Sequence, residues 1–281
     1  MNPLPSHTTG RYAQRFAQLK EAGQKAFIPF TLVGWPDRET SLTIIDAMIE
    51  GGATMLELGL AFSDPAADGP IIQQAATETL ASGFEVKDAL SLIRCIREKH
   101  PAIPIGLLVY YNMVLARTAE GFFQQVAEAG VDGVLIADLP PELADEVLPA
   151  ARKNKLDLIF IVSPLTSPQR LTKIAEMAGG FLYVVSRLGI TGTEERYDDQ
   201  LQTLLKTIKQ TTDLPACVGF GISTPEQAAK ILALGADGVI TGSKVIQLVR
   251  DHAGQAPPDY LMPYIRSMVD TTVLPVRQAT V

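Results

Sequence analysis

Short apolar runs alternate with amphipathic stretches along the whole chain. The apolar runs lie at residues 27–34, 54–60, 103–110, 133–138, 157–162, 181–186, 216–219 and 238–241. Such short, nearly continuous runs are typical of parallel strands that are buried on both faces. The segments of helical periodicity between them lie at residues 41–50, 85–100, 119–129, 142–154, 168–178, 199–211 and 225–234. The alternation predicts an α/β protein with a parallel sheet.

Eight strand–helix units predict that the sheet closes into a (β/α)8 barrel, the TIM-barrel architecture. Segment 10–23 predicts an extra N-terminal helix, placed to cover the bottom of the barrel. The polar stretch 187–199 is long for a strand-to-helix loop, and loops of that length often act as lids. We expect one domain over residues 1–281, with flexible ends at about 1–9 and 272–281.

Composition narrows the classes of function. With 281 residues, 47% of them apolar and 20% charged, the chain has the size and balance of one globular barrel. Its formal net charge of −7 argues against nucleic acid and anionic membrane as partners. No uncharged apolar stretch is long enough to span a membrane. Cys95 and Cys217 are isolated, so we expect buried thiols in a cytoplasmic protein and no metal site.

Glu57 is a charged residue inside the second apolar run. Alternation along that strand places Met55, Glu57 and Gly59 on one face, and Leu56 and Leu58 on the other. If the leucines pack on helices, Glu57 points into the barrel, where burial raises the pKa of a carboxyl or requires a partner. A raised pKa suits a general acid near neutral pH. The alternative is a structural glutamate paired with a lysine or arginine.

Two more acids, Asp64 and Asp68, lie in the loop after this strand. Active sites of such barrels lie at the carboxyl ends of the strands, so both acids fall at the expected rim. Asp68 precedes Gly69 and Pro70 and fits a helix cap equally well. Asp64 precedes Pro65 and fits an Asx-Pro turn equally well.

Glycine-rich turns follow the last three predicted strands, at residues 189–192, 219–223 and 241–244. Backbone N–H groups at such turns and at helix N-termini bind anions. Loops after strands seven and eight form the usual phosphate site of this fold. Each turn alone also fits a plain tight connection, but their joint placement favours a phosphate site.

Aromatic and polar residues at strand ends complete the candidate chemistry. The residues placed to line a pocket for a flat apolar ring are Phe30, Tyr110, Tyr111, Asn112 and Tyr183. Aromatic residues in strands also occur simply as core. The residues by themselves therefore point to a phosphorylated small-molecule substrate and to acid–base chemistry by carboxyl groups.

The sequence resembles the tryptophan synthase alpha chain family over nearly its whole length. The most specific block is Leu56-Glu57-Leu58-Gly59, followed by Phe62-Ser63-Asp64-Pro65 and Ala67-Asp68-Gly69-Pro70. Further matches lie at residues 26–30, 72–73, 183–192, 219–223 and 242–243.

The resemblance implies a lyase that cleaves indole-3-glycerol phosphate to indole and glyceraldehyde 3-phosphate by a retro-aldol reaction. Glu57 matches the family's catalytic acid–base residue, and Asp68 matches the aspartate that holds the indole N–H. Tyr183 matches a tyrosine near Glu57 that helps to form the site. Protonation of indole C3 creates the electron sink, so we expect neither a metal nor a cofactor in this chain.

Binding positions also carry over by resemblance. The indole pocket is expected from Phe30, Leu108, Leu135 and Ile161. The phosphate site is expected from Gly192, Gly221, Gly242 and Ser243. Residues 187–199 match a mobile loop that closes over the substrate and places Thr191 near Asp68.

The family further implies a partner, the tryptophan synthase beta chain, which carries pyridoxal phosphate in an α2β2 tetramer. Asp64 and Pro65 match the partner-facing loop. The chain departs from the family pattern at three positions: Ala61 replaces a usual proline, Ala66 replaces a large aliphatic residue, and Trp35 stands where an acid is common. None of these changes removes a catalytic group, but they touch the side that meets the partner.

Alternatives remain open from the sequence. One is another phosphate-binding barrel, such as a ribulose-phosphate-type isomerase or the indole-glycerol-phosphate synthase. That synthase would carry a catalytic lysine inside a strand, whereas Lys244 lies past the last strand. The other is a chain that mainly activates a beta chain, or one that releases indole on its own. Glu57 and Asp68 count against pure scaffolding, while Ala61 and Ala66 keep a free-standing lyase open.

Overall fold

Eight parallel strands close into a barrel in the computed structural model, which describes residues 10–185, 194–219 and 221–273. The strands are β1 Ala26–Leu32, β2 Leu56–Gly59, β3 Ile105–Val109, β4 Gly133–Ile136, β5 Asp157–Val162, β6 Leu182–Val185, β7 Ala216–Gly219 and β8 Gly238–Thr241. Each strand pairs with its neighbour in the chain, and β1 closes the ring against β8. The predicted (β/α)8 barrel is confirmed.

Helices surround the barrel. They are α1 Gly10–Glu21, α2 Arg38–Glu50, α3 Pro70–Ala81, α4 Val86–Lys99, α5 Tyr111–Leu115, α6 Ala119–Glu128, α7 Leu148–Lys153, α8 Pro168–Met177, α9 Glu194–Thr211, α10 Pro225–Ala233, α11 Ser243–Asp251 and α12 Pro257–Asp270. A 3-10 helix, Pro141–Glu146, precedes α7. None of the helices in the described ranges is long and apolar enough to cross a membrane.

Two helix predictions need correction. The predicted helix 142–154 is instead a 3-10 helix followed by α7, because Pro149 near the start of α7 lacks the N–H that a continuous helix needs. Helix α9 begins at Glu194, so residues 194–199, predicted as the end of a lid, are helical. The rest of that predicted lid, residues 187–193, lies outside the described residues.

Alternation along the strands separates two apolar regions. Outward-facing residues pack between strands and helices, as Leu56 and Leu58 do on β2. The region inside the barrel contains Ala26, Ile28, Met55, Leu135, Ile159, Phe181, Cys217 and Ile240. Cys217 is buried there as expected, but Cys95 on α4 is exposed, because it lies on the solvent side of that amphipathic helix.

Helix α1 closes the bottom of the barrel, which confirms the extra N-terminal helix. Its Tyr12 is only 1% exposed and packs edge-on against Phe181, with ring centroids 5.7 Å apart. Gly106 and Gly133 make room for it: a β-carbon would stand 2.6 Å from the Tyr12 hydroxyl at the first and 2.9 Å from the ring at the second. Tyr12 therefore fills the space that β3 and β4 leave open, because each strand has a glycine at that point.

An ion-pair network fixes α1 to the same end of the barrel. Asp132 accepts from Arg11 at 2.9 Å and from Arg97 at 2.7 Å, and also from the backbone N–H of Ile105 at 2.8 Å. At the other end of the chain, Thr272 is buried and its carbonyl accepts from Lys25 N. The buried part of the chain therefore reaches Thr272, the first residue of the tail expected to be flexible. Residues 1–9 and 274–281 of the expected flexible ends lie outside the described residues.

We expect Tyr12→Ala to lower the free energy of unfolding by about 3–5 kcal/mol, because it empties a large buried aromatic site. Tyr12→Phe keeps the ring and removes only the hydroxyl, so its loss should be about 1 kcal/mol. Urea unfolding followed by circular dichroism measures both. A Tyr12→Ala variant as stable as the parent would show that α1 does not seal the barrel.

Candidate active site

A cavity of about 180 Å³ opens at the carboxyl ends of the strands. Its walls are formed by Phe30, Glu57, Ala67, Asp68, Gly69, Ile72, Leu108, Leu135, Ala137, Ile161, Tyr183, Val185, Gly221, Ile222, Gly242 and Ser243. Ten of these residues are ones that the sequence singled out: Phe30, Glu57, Asp68, Leu108, Leu135, Ile161, Tyr183, Gly221, Gly242 and Ser243. Thr191 and Gly192 lie outside the described residues. Asp64 and Pro65 lie on the rim rather than in the cavity, with Asp64 exposed.

Glu57 points into the barrel from β2. Met55 belongs to the apolar region inside the barrel, whereas Leu56 and Leu58 pack outward, as the alternation predicts. The Glu57 side chain lines the cavity and the residue is 5% exposed. Burial, and then the negative charge of Asp68, raise the pKa of Glu57 to about 8. At neutral pH the carboxyl group therefore holds a proton that it can donate.

Asp68 faces the same cavity from the loop before α3. The N-cap of α3 is Gly69, and no side chain caps that helix end, so Asp68 does not act as the cap that its position also allowed. Its Oδ2 instead accepts from the Tyr110 hydroxyl at 2.9 Å. Burial raises the pKa of Asp68 and the bond from Tyr110 lowers it, with a net rise. The two carboxyl groups thus differ in pKa, and Glu57 keeps its proton to the higher pH.

Tyr183 approaches both acids from β6. Its hydroxyl lies only 2.2 Å from the place where a β-carbon of residue 219 would stand, so glycine is required at Gly219 on the next strand. Burial, followed by the charges of Glu57 and Asp68, raises the pKa of Tyr183 well above its ordinary value. Tyr183 is therefore a neutral hydroxyl beside two carboxyl groups.

Apolar side chains line much of the cavity, and Phe30 lies on the strand directly beside Glu57. The four predicted members, Phe30, Leu108, Leu135 and Ile161, are joined by four that the sequence did not single out: Ile72, Ala137, Val185 and Ile222. Gly59 makes room for the Phe30 ring, since a β-carbon there would stand 2.8 Å from it. The wall can hold a flat apolar ring with one edge turned toward the carboxyl groups.

Glycine-containing turns after β7 and β8 form another part of the cavity wall. Gly221 has a φ of +72°, and no atom lies within 4 Å of the place where its β-carbon would stand. Gly242 is the N-cap of α11 and Ser243 is its first residue. The first N–H groups of a helix have no partners inside the helix and attract negative charge. This corner can therefore bind an anion.

Tyr110 has a role that the sequence did not indicate. It was expected to line a pocket, together with Tyr111 and Asn112, but none of the three is among the cavity-lining residues. The buried Tyr110 ring stacks on Phe62, with centroids 5.1 Å apart, and its hydroxyl accepts from Ala67 N at 3.1 Å. Tyr110 thus holds the loop that carries Asp68. The sequence feature that could have indicated this role is the position of Tyr110 directly after β3, the strand that pairs with β2.

A closed parallel barrel with a cavity at the carboxyl ends of its strands, lined by two carboxyl groups and an anion corner, is typical of an α/β-barrel enzyme. The sequence profile of the family described as "Tryptophan synthase alpha chain" matches residues 16–260. The chain therefore belongs to the tryptophan synthase alpha chain family, whose members are lyases of tryptophan biosynthesis.

Individual relatives agree with this assignment. The tryptophan synthase alpha chain of Aeromonas hydrophila is 42% identical over 260 residues, which cover 92% of this chain and 96% of that protein. The alpha chain of Methanothermobacter thermautotrophicus is 45% identical over 243 residues, or 86% and 88% of the two chains.

Solved structures agree as well. The tryptophan synthase subunit alpha of Legionella pneumophila superposes with a TM-score of 0.87 at 32% identity, covering 94% of this chain and 99% of that one. A chain of Mycobacterium tuberculosis tryptophan synthase gives a TM-score of 0.85 at 30% identity, covering 95% and 100%.

We expect Tyr110→Phe to raise the pKa of Asp68, because it removes the donor that stabilises the ionised carboxylate. NMR titration of the carboxyl carbons measures the change. Tyr111→Phe is the matched control, since the Tyr111 hydroxyl bonds Glu146 instead. Equal shifts in the two variants would contradict a specific bond between Tyr110 and Asp68.

Proposed function

We propose that this chain, as a single barrel domain, cleaves indole-3-glycerol phosphate to indole and glyceraldehyde 3-phosphate. The observation that carries the proposal is a pair of acids of different pKa, Glu57 and Asp68, that face an apolar cavity also lined by the anion corner at Gly221, Gly242 and Ser243. We also propose that it works in the cytoplasm, where the free thiols of Cys95 and Cys217 stay reduced.

The shape of the cavity suits the three parts of this substrate. The indole ring would lie against Phe30, Leu108, Leu135 and Ile161, with its N–H toward the Asp68 carboxylate. The phosphate would bind at the Gly221, Gly242 and Ser243 corner, where backbone N–H groups and the α11 dipole favour an anion. The glycerol carbons would then cross the cavity in front of Glu57.

Glu57 begins the reaction as an acid and then acts as a base. Its carboxyl group donates a proton to indole C3, and the Asp68 carboxylate stabilises the positive charge that develops at the ring N–H. The resulting iminium is the electron sink. Glu57, now ionised, takes the proton of the glycerol hydroxyl next to the ring, and the bond from C3 to that carbon breaks.

The products follow with atoms and charges in balance. The electron pair of the broken bond restores the aromatic indole, and the former alcohol carbon becomes the aldehyde of glyceraldehyde 3-phosphate. Glu57 has given one proton and regained one. This reaction needs no Schiff base, so it is compatible with the absence of a lysine inside strands β1 to β7.

Tyr183 would support Glu57 as a neutral neighbour, because its raised pKa prevents a third negative charge in the cavity. By family position, Thr191 would reach Asp68 and Gly192 would join the phosphate site when the loop 187–193 covers the substrate. Both residues lie outside the described residues, so the resemblance alone supports their roles.

We further propose a tryptophan synthase beta chain as partner, in an α2β2 tetramer in which the beta chain carries the pyridoxal phosphate. Membership of an alpha chain family supports a beta-chain partner. Three exposed leucines follow successive strands at the rim that carries Asp64 and Pro65: Leu115, Leu143 and Leu165. These exposed apolar side chains are available to a partner that packs against this rim. At this rim, Ala61 and Ala66 have smaller side chains than the residues that the family pattern has at these positions.

We expect Glu57→Gln to fold and to lose about 10²–10⁴-fold in kcat, because the amide cannot donate or accept the proton. Indole release from indole-3-glycerol phosphate, with the beta chain present, measures the loss. Glu50→Gln, at an exposed position at the end of α2, should keep the parent rate. Near-normal turnover in Glu57→Gln would show that another group carries the proton.

The pH profile of the parent protein tests the same assignment. Since Glu57 must start protonated, kcat/KM should fall as the pH rises through about 8. Asp68 must start ionised, and its raised pKa places the acidic limb above the ordinary aspartate range. In any residual activity of Glu57→Gln the alkaline limb should be absent.

We expect indole release to rise strongly when a tryptophan synthase beta chain is added, and light scattering to show an α2β2 mass. Leu165→Asp places a charge on the 80% exposed rim leucine and should reduce this activation. Leu80→Asp is the matched control, because Leu80 is exposed at the far end of α3. Equal rates with and without the beta chain would favour a free-standing lyase.

A further inference from the structure

Three residues from distant parts of the chain meet beside α3 and α11. Trp35 follows β1, is 2% exposed, and donates its indole N–H to Glu78 Oε2 at 2.8 Å. Arg250 Nη2 lies 3.0 Å from both carboxylate oxygens of Glu78. The Arg250 guanidinium also lies 5.3 Å from the centre of the Trp35 ring. Each member of this cluster, which we call the Trp35 clamp, therefore contacts the other two.

The bonds of the clamp are directional. A guanidinium that lies on an aromatic ring and also meets a carboxylate has little freedom to rotate. Burial raises the pKa of Glu78, but the bonds from Trp35 and Arg250 outweigh it, so the net pKa is lowered and the carboxylate stays ionised. Glu78 is 44% exposed at its side chain, so the ion pair itself adds little stability. Its geometric effect is the larger one.

The three elements that the clamp joins also build the cavity. Helix α3 begins directly after Asp68 and Gly69, and Glu78 lies about two turns along it. Helix α11 begins at Ser243, and Arg250 lies about two turns along it. Trp35 follows the strand that carries Phe30.

The same elements also come together at the cavity. Gly242 has no β-carbon, but one built there would stand 3.7 Å from Ile72 on α3 and 3.9 Å from the Phe30 ring, so both apolar side chains lie close to this turn. At the far ends of the two helices, the Arg250–Glu78 hydrogen bonds join α11 to α3. A rotation of α11 against α3 would therefore lengthen these bonds.

We propose that Trp35, Glu78 and Arg250 are positioning residues that hold the Gly242–Ser243 turn at the distance from Asp68 that the phosphate end of the substrate requires. The proposal rests on the phosphate site proposed above. None of the three residues lines the cavity, so they act through the helices that they join.

The test measures the binding of glycerol 3-phosphate by calorimetry, together with kcat and KM for indole-3-glycerol phosphate cleavage. We expect Glu78→Gln to weaken glycerol 3-phosphate binding and to raise KM, each by about tenfold, with kcat changed by less than about twofold. Trp35→Phe keeps the ring under Arg250 and removes the N–H donor, so its loss should be smaller than that of Glu78→Gln.

A charge exchange separates positioning from general damage. Glu78→Arg alone places two guanidinium groups together and should bind worst. Adding Arg250→Glu restores the ion pair but leaves the Trp35 N–H without an acceptor at residue 78, so the double exchange should recover part of the loss and not all of it. Glu120→Gln is the matched control, because it breaks the ion pair to Lys153 that joins α6 and α7 away from the cavity. It should leave binding and KM unchanged.

The outcomes distinguish this proposal from the proposed function. If the parent protein binds no glycerol 3-phosphate, the phosphate site is wrong and the clamp proposal is wrong with it. If the parent binds but Glu78→Gln binds equally well, only the clamp proposal is wrong. A folded double exchange that recovers nothing, or a loss of the same size in Glu120→Gln, also overturns it.

Discussion

The proton on Glu57 depends on the burial of its carboxyl group at the mouth of the barrel. A carboxyl group among apolar side chains keeps its proton because the ionised form loses its solvation. The surroundings that achieve this are assembled from several strands and from α1, since Tyr12 seals the barrel below and Phe30, Leu108 and Ile161 line it above. The nearby Asp68 adds to the effect, because a second negative charge is unfavourable beside the first. Residues from several strands and from α1 therefore act together to keep the Glu57 carboxyl group protonated.

The two ends of the barrel show opposite solutions to buried charge. At the bottom, Asp132 is surrounded by Arg11, Arg97 and a backbone N–H, so its charge is compensated and joins the helices to the strands. At the top, Glu57 has a carboxylate as its charged neighbour, and Asp68 has a tyrosine donor. Compensated charge stabilises a fold, whereas uncompensated charge is reactive. The division matches the expected separation of stability and chemistry in this architecture.

Much of this arrangement follows from local patterns in the sequence. Alternation alone places Glu57 inside the barrel, and the order of strands brings Tyr183, Gly221 and Gly242 to the same rim. The contacts that sequence reasoning missed depend on the paths of loops and the tilts of helices. Tyr110 reaches Asp68 because the β2–α3 loop folds back over β3, and Trp35 meets Glu78 and Arg250 through the packing of α3 against α11. Periodicity predicts which face of a helix is buried but not which element packs against it. It also did not indicate that Pro149, the second residue of α7, separates two helical segments.

The burial of Glu57 also couples folding to proton uptake. The unfolded chain releases this proton near the ordinary glutamate pKa of 4.5, whereas the folded chain keeps it to about 8. Between these values the folded state binds more protons than the unfolded state, so the contribution of Glu57 to stability is full below pH 4.5 and is lost as the pH rises to about 8. A substrate that drew the proton from Glu57 without returning it would leave the barrel in its less stable, ionised form. In the proposed reaction, the return of the proton to Glu57 therefore also restores the more stable protonation state of the fold.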